Sequence, residues 1–260
     1  MASSGTCRAE RDGAVLTIII DRPEVLNALD PPTHAALAAA FDLYAADDDL
    51  RVAILTASGD RAFCVGSDLK ARSKTNADHH PATGFGGLTR RFDLYKPVIC
   101  AVNGLAIGGG VELMIACDLV IAVDHAQFAL PEPRVGLAAL GGGGLQRLAR
   151  QLPLKQAMEL ILTGRRISAE RAQAIGLINE VVPRGDLMVR ARAVAAELLE
   201  MAPLALQASK QVMLQSLACA DLEAAMAATY PAAERMLASE DAIEGQRAFV
   251  EKRKPNWRGR

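Results

Sequence analysis

Four short, almost wholly apolar runs rich in branched side chains, Val15–Ile20, Val52–Thr56, Val98–Val102 and Leu119–Val123, predict buried strands. Between them, patterns compatible with helix cover Thr33–Ala46, Gly87–Tyr95 and Val111–Cys117. Such alternation of strand and helix predicts an α/β core. The polar stretch Ala71–Gly87, with two histidines, a proline and three glycines, reads as a mobile loop. From about Leu187 the strand pattern stops and helix formers dominate, with helices expected over Ala191–Met201, Leu222–Ala238 and Asp241–Lys252. The apolar stripe of this region suits an intramolecular core, an interface, or both.

Composition narrows the class. With 260 residues, 51% apolar and 23% charged, the chain can bury a sizeable core as one domain, or one domain with a helical appendage. A formal charge of -1 and the lack of a long basic run interleaved with aromatics argue against nucleic-acid or anionic-membrane partners. Cys7, Cys64, Cys100, Cys117 and Cys219 are scattered without paired spacing and read as reduced residues of a cytosolic protein. Met1–Asp12 is charged and lacks an apolar signal core, and no span of about 20 apolar residues follows, so a soluble cytoplasmic protein is expected. Of His34, His79, His80 and His125, the adjacent pair fits no metal-ligand spacing and reads as part of a solvated loop.

The chemistry concentrates around Asn103-Gly-Leu-Ala-Ile-Gly-Gly-Gly-Val-Glu112. Glycines permit positive φ and close approach to backbone N–H groups, and a helix starting there aims free donors at a ligand. The spacing matches neither dinucleotide nor nucleotide fingerprints. A glycine run beside a carboxylate suits an oxyanion formed next to a proton-transfer group. Taken alone, it equally suits a tightly packed helix start whose dipole Glu112 complements.

Two further segments matter. Arg61-Ala-Phe-Cys-Val-Gly-Ser-Asp-Leu-Lys70 follows a predicted strand, and Ser67 or Asp68 can cap a new helix, presenting the Ser67 N–H as a second donor. In Phe128-Ala-Leu-Pro-Glu-Pro-Arg134, Glu132 stands between prolines that exclude helix or central-strand pairing. Glu112 and Glu132 can meet only through the fold.

Together these segments resemble the enoyl-CoA hydratase/isomerase (crotonase) superfamily over essentially the whole chain. The landmarks run in order: Asp21-Arg-Pro with Asn27-Ala-Leu29, Phe63–Leu69, Lys96-Pro-Val with Ala101–Gly104, Gly108–Glu112, Ala116-Cys-Asp118 and Phe128–Glu132. Gly143–Leu148, Leu162-Thr-Gly164, Ala174–Leu177 and Ala248–Arg253 complete them. The resemblance implies a crotonase-type ββα superhelix core over residues 1–186 and a C-terminal helical trimerisation region over 187–260. A homotrimer or a dimer of trimers is then expected. It implies an oxyanion hole from the N–H groups of Ser67 and Gly109, with Glu112 and Glu132 as acid/base carboxylates.

Retention of both glutamates favours hydration of a 2-enoyl-CoA thioester, with Glu112 as the base on water and Glu132 as the acid. No cofactor is implied, since coenzyme A is part of the substrate. Its adenine and pantetheine arm is expected along the backbone of Ala28 and of Ser67, Asp68, Leu69 and Lys70, with Phe249 and Lys252 near the nucleotide, from the same or a neighbouring subunit. The segments Gly84–Thr89 and Ser239–Gly245 are similar to the carnitinyl-CoA dehydratase branch, which makes crotonobetainyl-CoA an alternative substrate. The resemblance is also compatible with a double-bond isomerase or a non-catalytic acyl-CoA-binding protein. Two departures stand out: Glu24 replaces a usual basic residue, and the loop Gly136–Gly144 carries leucine for proline and one extra glycine.

Overall fold

The computed structural model describes residues 2, 3, 6–72 and 80–260. The chain divides into two compact units, one built from 1–91 and 98–195 and the other from 92–97 and 196–260. The division falls inside a helix, whereas the sequence pattern sets it just before that helix begins.

In the first unit the elements run β1 (Ala2–Ser3), β2 (Cys7–Asp12), β3 (Val15–Ile20), α1 (Pro31–Ala46), β4 (Val52–Ala57), β5 (Ala62–Cys64) and α2 (Leu69–Arg72). Then follow β6 (Val98–Val102), β7 (Leu105–Ile107), α3 (Gly109–Met114), β8 (Leu119–Val123) and β9 (Gln127–Ala129). The last are α4 (Gly144–Gln151), α5 (Leu154–Thr163), β10 (Ile167–Ser168), α6 (Ala169–Ala174), β11 (Glu180–Val182) and α7 (Leu187–Leu199), which crosses into the second unit. All four predicted strands form.

The larger sheet has the order β1-β2-β3-β4-β6-β8-β11. Its β1-β2-β3 edge is antiparallel and the pairs from β3 onward are parallel. Every residue of β4 and β6 is buried, which explains their unbroken apolar sequences: a central parallel strand is covered on both faces. Helix α1 starts at Asp30, whose side chain accepts from the Thr33 N–H, with proline in the first turn where no N–H is needed. Its Leu37, Phe41 and Tyr44 are fully buried.

The smaller sheet has the order β10-β9-β7-β5, and β5, β7 and β9 are mutually parallel. The carboxyl ends of those three strands lead into Gly66-Ser67, Gly108–Gly110 and Leu130–Glu132. Distant sequence segments therefore emerge side by side, as parallel strands require and as suits ligand binding.

Three expectations change. Gly87–Tyr95 is no helix: a short 3₁₀ turn spans Phe85–Gly87 and irregular turns follow. Gly84, Gly86 and Gly87 all take positive φ, which breaks a right-handed helix. Of the expected mobile loop Ala71–Gly87, residues 73–79 lie outside the described residues, but Phe85, Gly86 and Gly87 are buried. His80 is half-buried rather than solvated, its ring 4.8 Å from that of His34 and 5.3 Å from that of Phe85, whereas His79 lies outside the described residues.

The second unit contains α8 (Pro203–Ser216), α9 (Leu222–Ala227), α10 (Pro231–Leu237) and α11 (Glu240–Val250). The single helix expected over Leu222–Ala238 is split, because Pro231 opens a new helix and disfavours helical backbone at Tyr230. Buried Gln211 of α8 accepts from the Ala232 N–H at 2.7 Å, tying α8 to α10. Buried Asp241 accepts from the N–H groups of Arg258 and Gly259 at 2.7 and 2.8 Å, pinning the chain end to α11. Trp257 donates its indole N–H to the Glu200 carbonyl at 2.7 Å.

Candidate active site

Close backbone approach builds the first part of the site. A Cβ on Gly66 would stand 3.2 Å from the Gly109 nitrogen, and one on Gly110 would lie 2.0 Å from the Cys64 carbonyl oxygen. Only glycine permits the end of β5 to abut the start of α3 in this way. Ser67 is held by a parallel bridge to Leu29, in which Leu29 donates to the Gly66 carbonyl and Asp68 to the Leu29 carbonyl. That pattern leaves the Ser67 N–H itself unused. Gly109 is the first residue of α3, so its N–H has no intrahelical acceptor. Neither N–H has a partner among the described residues.

Glu112 follows in the first turns of α3 and is 3% exposed. Its Oε1 accepts from the Gly144 N–H at 2.8 Å, and the Gly142 N–H lies near the same carboxyl. Burial raises its carboxyl above the ordinary range, while the N–H groups of Gly144 and Gly142 and the Arg147 charge oppose that rise. Glu132 begins a 3₁₀ turn, Glu132–Val135, whose proline sits in the first turn. A Cβ on Gly108 would lie 2.9 Å from Glu132 Oε1, so this carboxylate reaches back over the glycine run. Burial raises the Glu132 carboxyl too, its own backbone N–H opposes that rise, and the Glu112 charge adds to it. Its buried Oε2 has no partner among the described residues.

The glycine run Gly141–Gly144 wraps Glu112. Cβ atoms at Gly142 and Gly144 would stand 2.5 Å from Glu112 Cβ and 3.0 Å from Glu112 Cγ. The extra glycine therefore belongs to a loop that closes on a carboxylate too tightly for side chains. On another side lies Phe85, whose ring would be 2.5 Å from a Cβ at Gly109. Buried His34 accepts the Gly86 N–H at its Nδ1 at 3.0 Å, and its ring meets Phe85 edge-on at 4.8 Å. The segment Gly84–Thr89 is thus a wall beside the Gly109 N–H.

The structure accordingly brings Ser67, Gly109, Glu112 and Glu132 together. Ala28 is buried and Asp68 half-buried, and both are tied to Arg22, which bonds the Ala28 carbonyl at 2.5 Å and pairs with Asp68 at 3.2 Å and Asp30 at 3.1 Å. Leu69 and Lys70 are exposed. Phe249 and Lys252 belong to the second unit, at the exposed end of α11 and just beyond it. Sequence reasoning assigned no role to His34, His80, Phe85, Arg147 or the Gly144 N–H. The four consecutive glycines ahead of α4 were the available signal for the last.

Residues 10–260 match the family model described as enoyl-CoA hydratase/isomerase. The chain is 43% identical over 259 residues to a carnitinyl-CoA dehydratase of Salmonella typhi, covering 96% of this chain and 97% of that protein. It is also 43% identical over 265 residues to the protein of that name from Salmonella arizonae, covering 98% and 99%.

Among solved structures, an enoyl-CoA hydratase of Mycobacterium marinum superposes with a TM-score of 0.92 at 38% identity, covering 99% of this chain and all of that one (100%). A probable enoyl-CoA hydratase/isomerase of Mycobacterium abscessus gives 0.90 at 40% identity, with the same coverage. Sheet order, glycine contacts and full-length identity converge: this chain has the crotonase fold and belongs to the enoyl-CoA hydratase/isomerase family.

Proposed function

We propose that the protein is a hydro-lyase that adds water reversibly across the 2,3 double bond of a 2-enoyl-CoA thioester. The observation that carries this reading is the pairing of a buried carboxyl, Glu112, and a half-buried one, Glu132, in unlike surroundings beside two unpartnered N–H groups. Conjugation makes the β-carbon electrophilic. Glu112 takes a proton from water as the oxygen bonds to that carbon, and the π electrons move onto the thioester oxygen. The Ser67 and Gly109 N–H groups hold that oxyanion, at about 3–4 kcal/mol per donor in a well-formed hole. Glu132 then delivers its proton to the α-carbon, and the carboxyls return to their starting states by proton exchange.

The partners of each carboxyl support this division. Glu112 accepts from the Gly144 N–H, with the Gly142 N–H and a guanidinium nearby, which favour its ionised form. At Glu132, burial and then the Glu112 charge favour the protonated form, opposed by its own backbone N–H alone. All of this requires only the chain's own residues, with coenzyme A entering as part of the substrate.

A second reading is that the physiological pair is crotonobetainyl-CoA and carnitinyl-CoA. It is favoured by the full-length identity to carnitinyl-CoA dehydratases and by the position of Gly84–Thr89, the segment similar to that branch, beside Gly109. The test follows loss of the conjugated thioester absorbance with crotonyl-CoA and crotonobetainyl-CoA, with Glu112→Gln and Glu132→Gln alongside. Turnover of either substrate, lost in both variants, supports hydration, and the preferred substrate selects between the readings. Double-bond migration without hydration would indicate an isomerase, and tight thioester binding without turnover a non-catalytic role.

A further inference from the structure

We infer that Arg147 is a positioning residue whose guanidinium fork holds the Glu112 cradle and the Gly109 wall in one geometry. Its Nη1 donates to the Gly142 carbonyl and its Nη2 to the Thr89 carbonyl, both at 2.8 Å. These carbonyls belong to the two segments that flank the reacting groups: Gly141–Gly144 around Glu112, and Gly84–Thr89 beside Gly109. The inference rests on the reading of Glu112 as the base and deepens it.

The need for such a tie is physical. Four successive glycines carry no side chains with which to anchor themselves, and they lose more backbone entropy on ordering than other residues. Yet the Gly144 N–H must stay 2.8 Å from Glu112 Oε1 if that carboxylate is to keep one orientation. Gly143 takes φ +76, and a Cβ there would lie 2.8 Å from Arg147 Nη1, so the guanidinium is packed directly against the loop it holds. The Arg147 backbone N–H also donates to the Gly143 carbonyl at 3.0 Å, fixing the loop to the first turn of α4.

A point charge cannot substitute for this arrangement. Two carbonyls on separate segments are reached by two different nitrogens of one rigid planar group, which an ammonium on a flexible stem cannot reproduce. The positive charge also acts on Glu112, so charge and fork must be separated by experiment.

Arg147→Lys keeps the charge and removes the fork, and Arg147→Gln removes the charge. Each is compared with the native full chain by hydration kinetics and by hydrogen exchange of the peptides spanning 84–90 and 139–148. The expected result for both is faster exchange confined to those peptides and a fall in kcat of about tenfold to a hundredfold. KM should stay within about twofold, since Arg147 itself bonds the two backbone carbonyls and the loss falls on the transition state.

Native kcat and native exchange in Arg147→Lys would overturn the fork. Local exchange that accelerates with kcat unchanged would overturn the link to catalysis. Acceleration throughout the first unit would make Arg147 a general stability residue and overturn positioning. If the native protein turns over neither crotonyl-CoA nor crotonobetainyl-CoA, the hydratase reading fails, while the exchange data still decide whether the clamp exists.

Discussion

At the scale of single residues, Glu112 is buried and Glu132 half-buried, and they differ in partners; on the proposed reading this is how one fold obtains a base and an acid from the same side chain. Both carboxyls are raised, so the ionised base is lost at a higher pH than an ordinary glutamate would allow. The acid limb of kcat/KM is therefore expected above the ordinary carboxylate range, and a pH-rate profile checks it. Replacing either glutamate by glutamine should lower hydration by about 10²–10⁴-fold. The same shifts have an opposite consequence for stability. A carboxyl whose folded pKa is raised favours folding below its unfolded pKa, and that contribution is lost as pH rises through the folded value. Glu132→Gln should thus melt at a higher temperature than the native protein at neutral pH, with the difference vanishing below the ordinary carboxylate range. Thermal melts at both pH values measure it, and a variant that melts lower at neutral pH would contradict the burial argument. His34 offers a parallel case: His34→Asn retains an acceptor for the Gly86 N–H and should preserve more kcat than His34→Leu.

At the scale of elements, the site exists because β5, β7 and β9 are parallel neighbours whose carboxyl ends point the same way. The glycine contacts state how closely they must pack. Gly110→Ala would bring a Cβ to 2.0 Å from the Cys64 carbonyl, and backbone cannot move aside as a flexible side chain can. A loss at the upper end of about 1–3 kcal/mol, or failure to fold, is expected in denaturant titration. Gly142→Ala would bring a Cβ to 2.5 Å from Glu112 Cβ, an atom fixed to the α3 backbone, so it should cost activity and stability together. The strands of the larger sheet were legible as apolar runs because central parallel strands are buried on both faces. The turns of Gly84–Gly87 were not, because their shape depends on contacts with His34, Ala38 and Leu113 far along the chain. Glu112 and Glu132 were recognisable as candidates from their glycine and proline contexts and from the resemblance. Arg147 was not, because nothing local reveals which distant carbonyls an arginine will meet.

At the scale of the whole molecule, the second unit leaves large apolar side chains in solvent: Met213 at 71%, Leu222 at 74%, Met226 at 80% and Phe249 at 85% exposure. Exposed apolar groups in this number favour burial by self-association. Sedimentation velocity is expected to give a trimer or hexamer at micromolar concentration, and Met226→Glu should shift the population towards smaller species. A monomeric native chain would refute this. Among the described residues, no helix is long and apolar enough to cross a membrane. What the sequence by itself determined is the α/β class, the positions of four strands of the larger sheet and the residue types able to hold an oxyanion and move protons, because periodicity, glycine content and carboxylates are local properties. Tertiary structure alone decided which N–H groups lack partners, how Glu112 and Glu132 come to differ, and where one arginine joins two walls of the site. Those outcomes depend on burial and on contacts between segments distant in sequence, and only the packed chain fixes them.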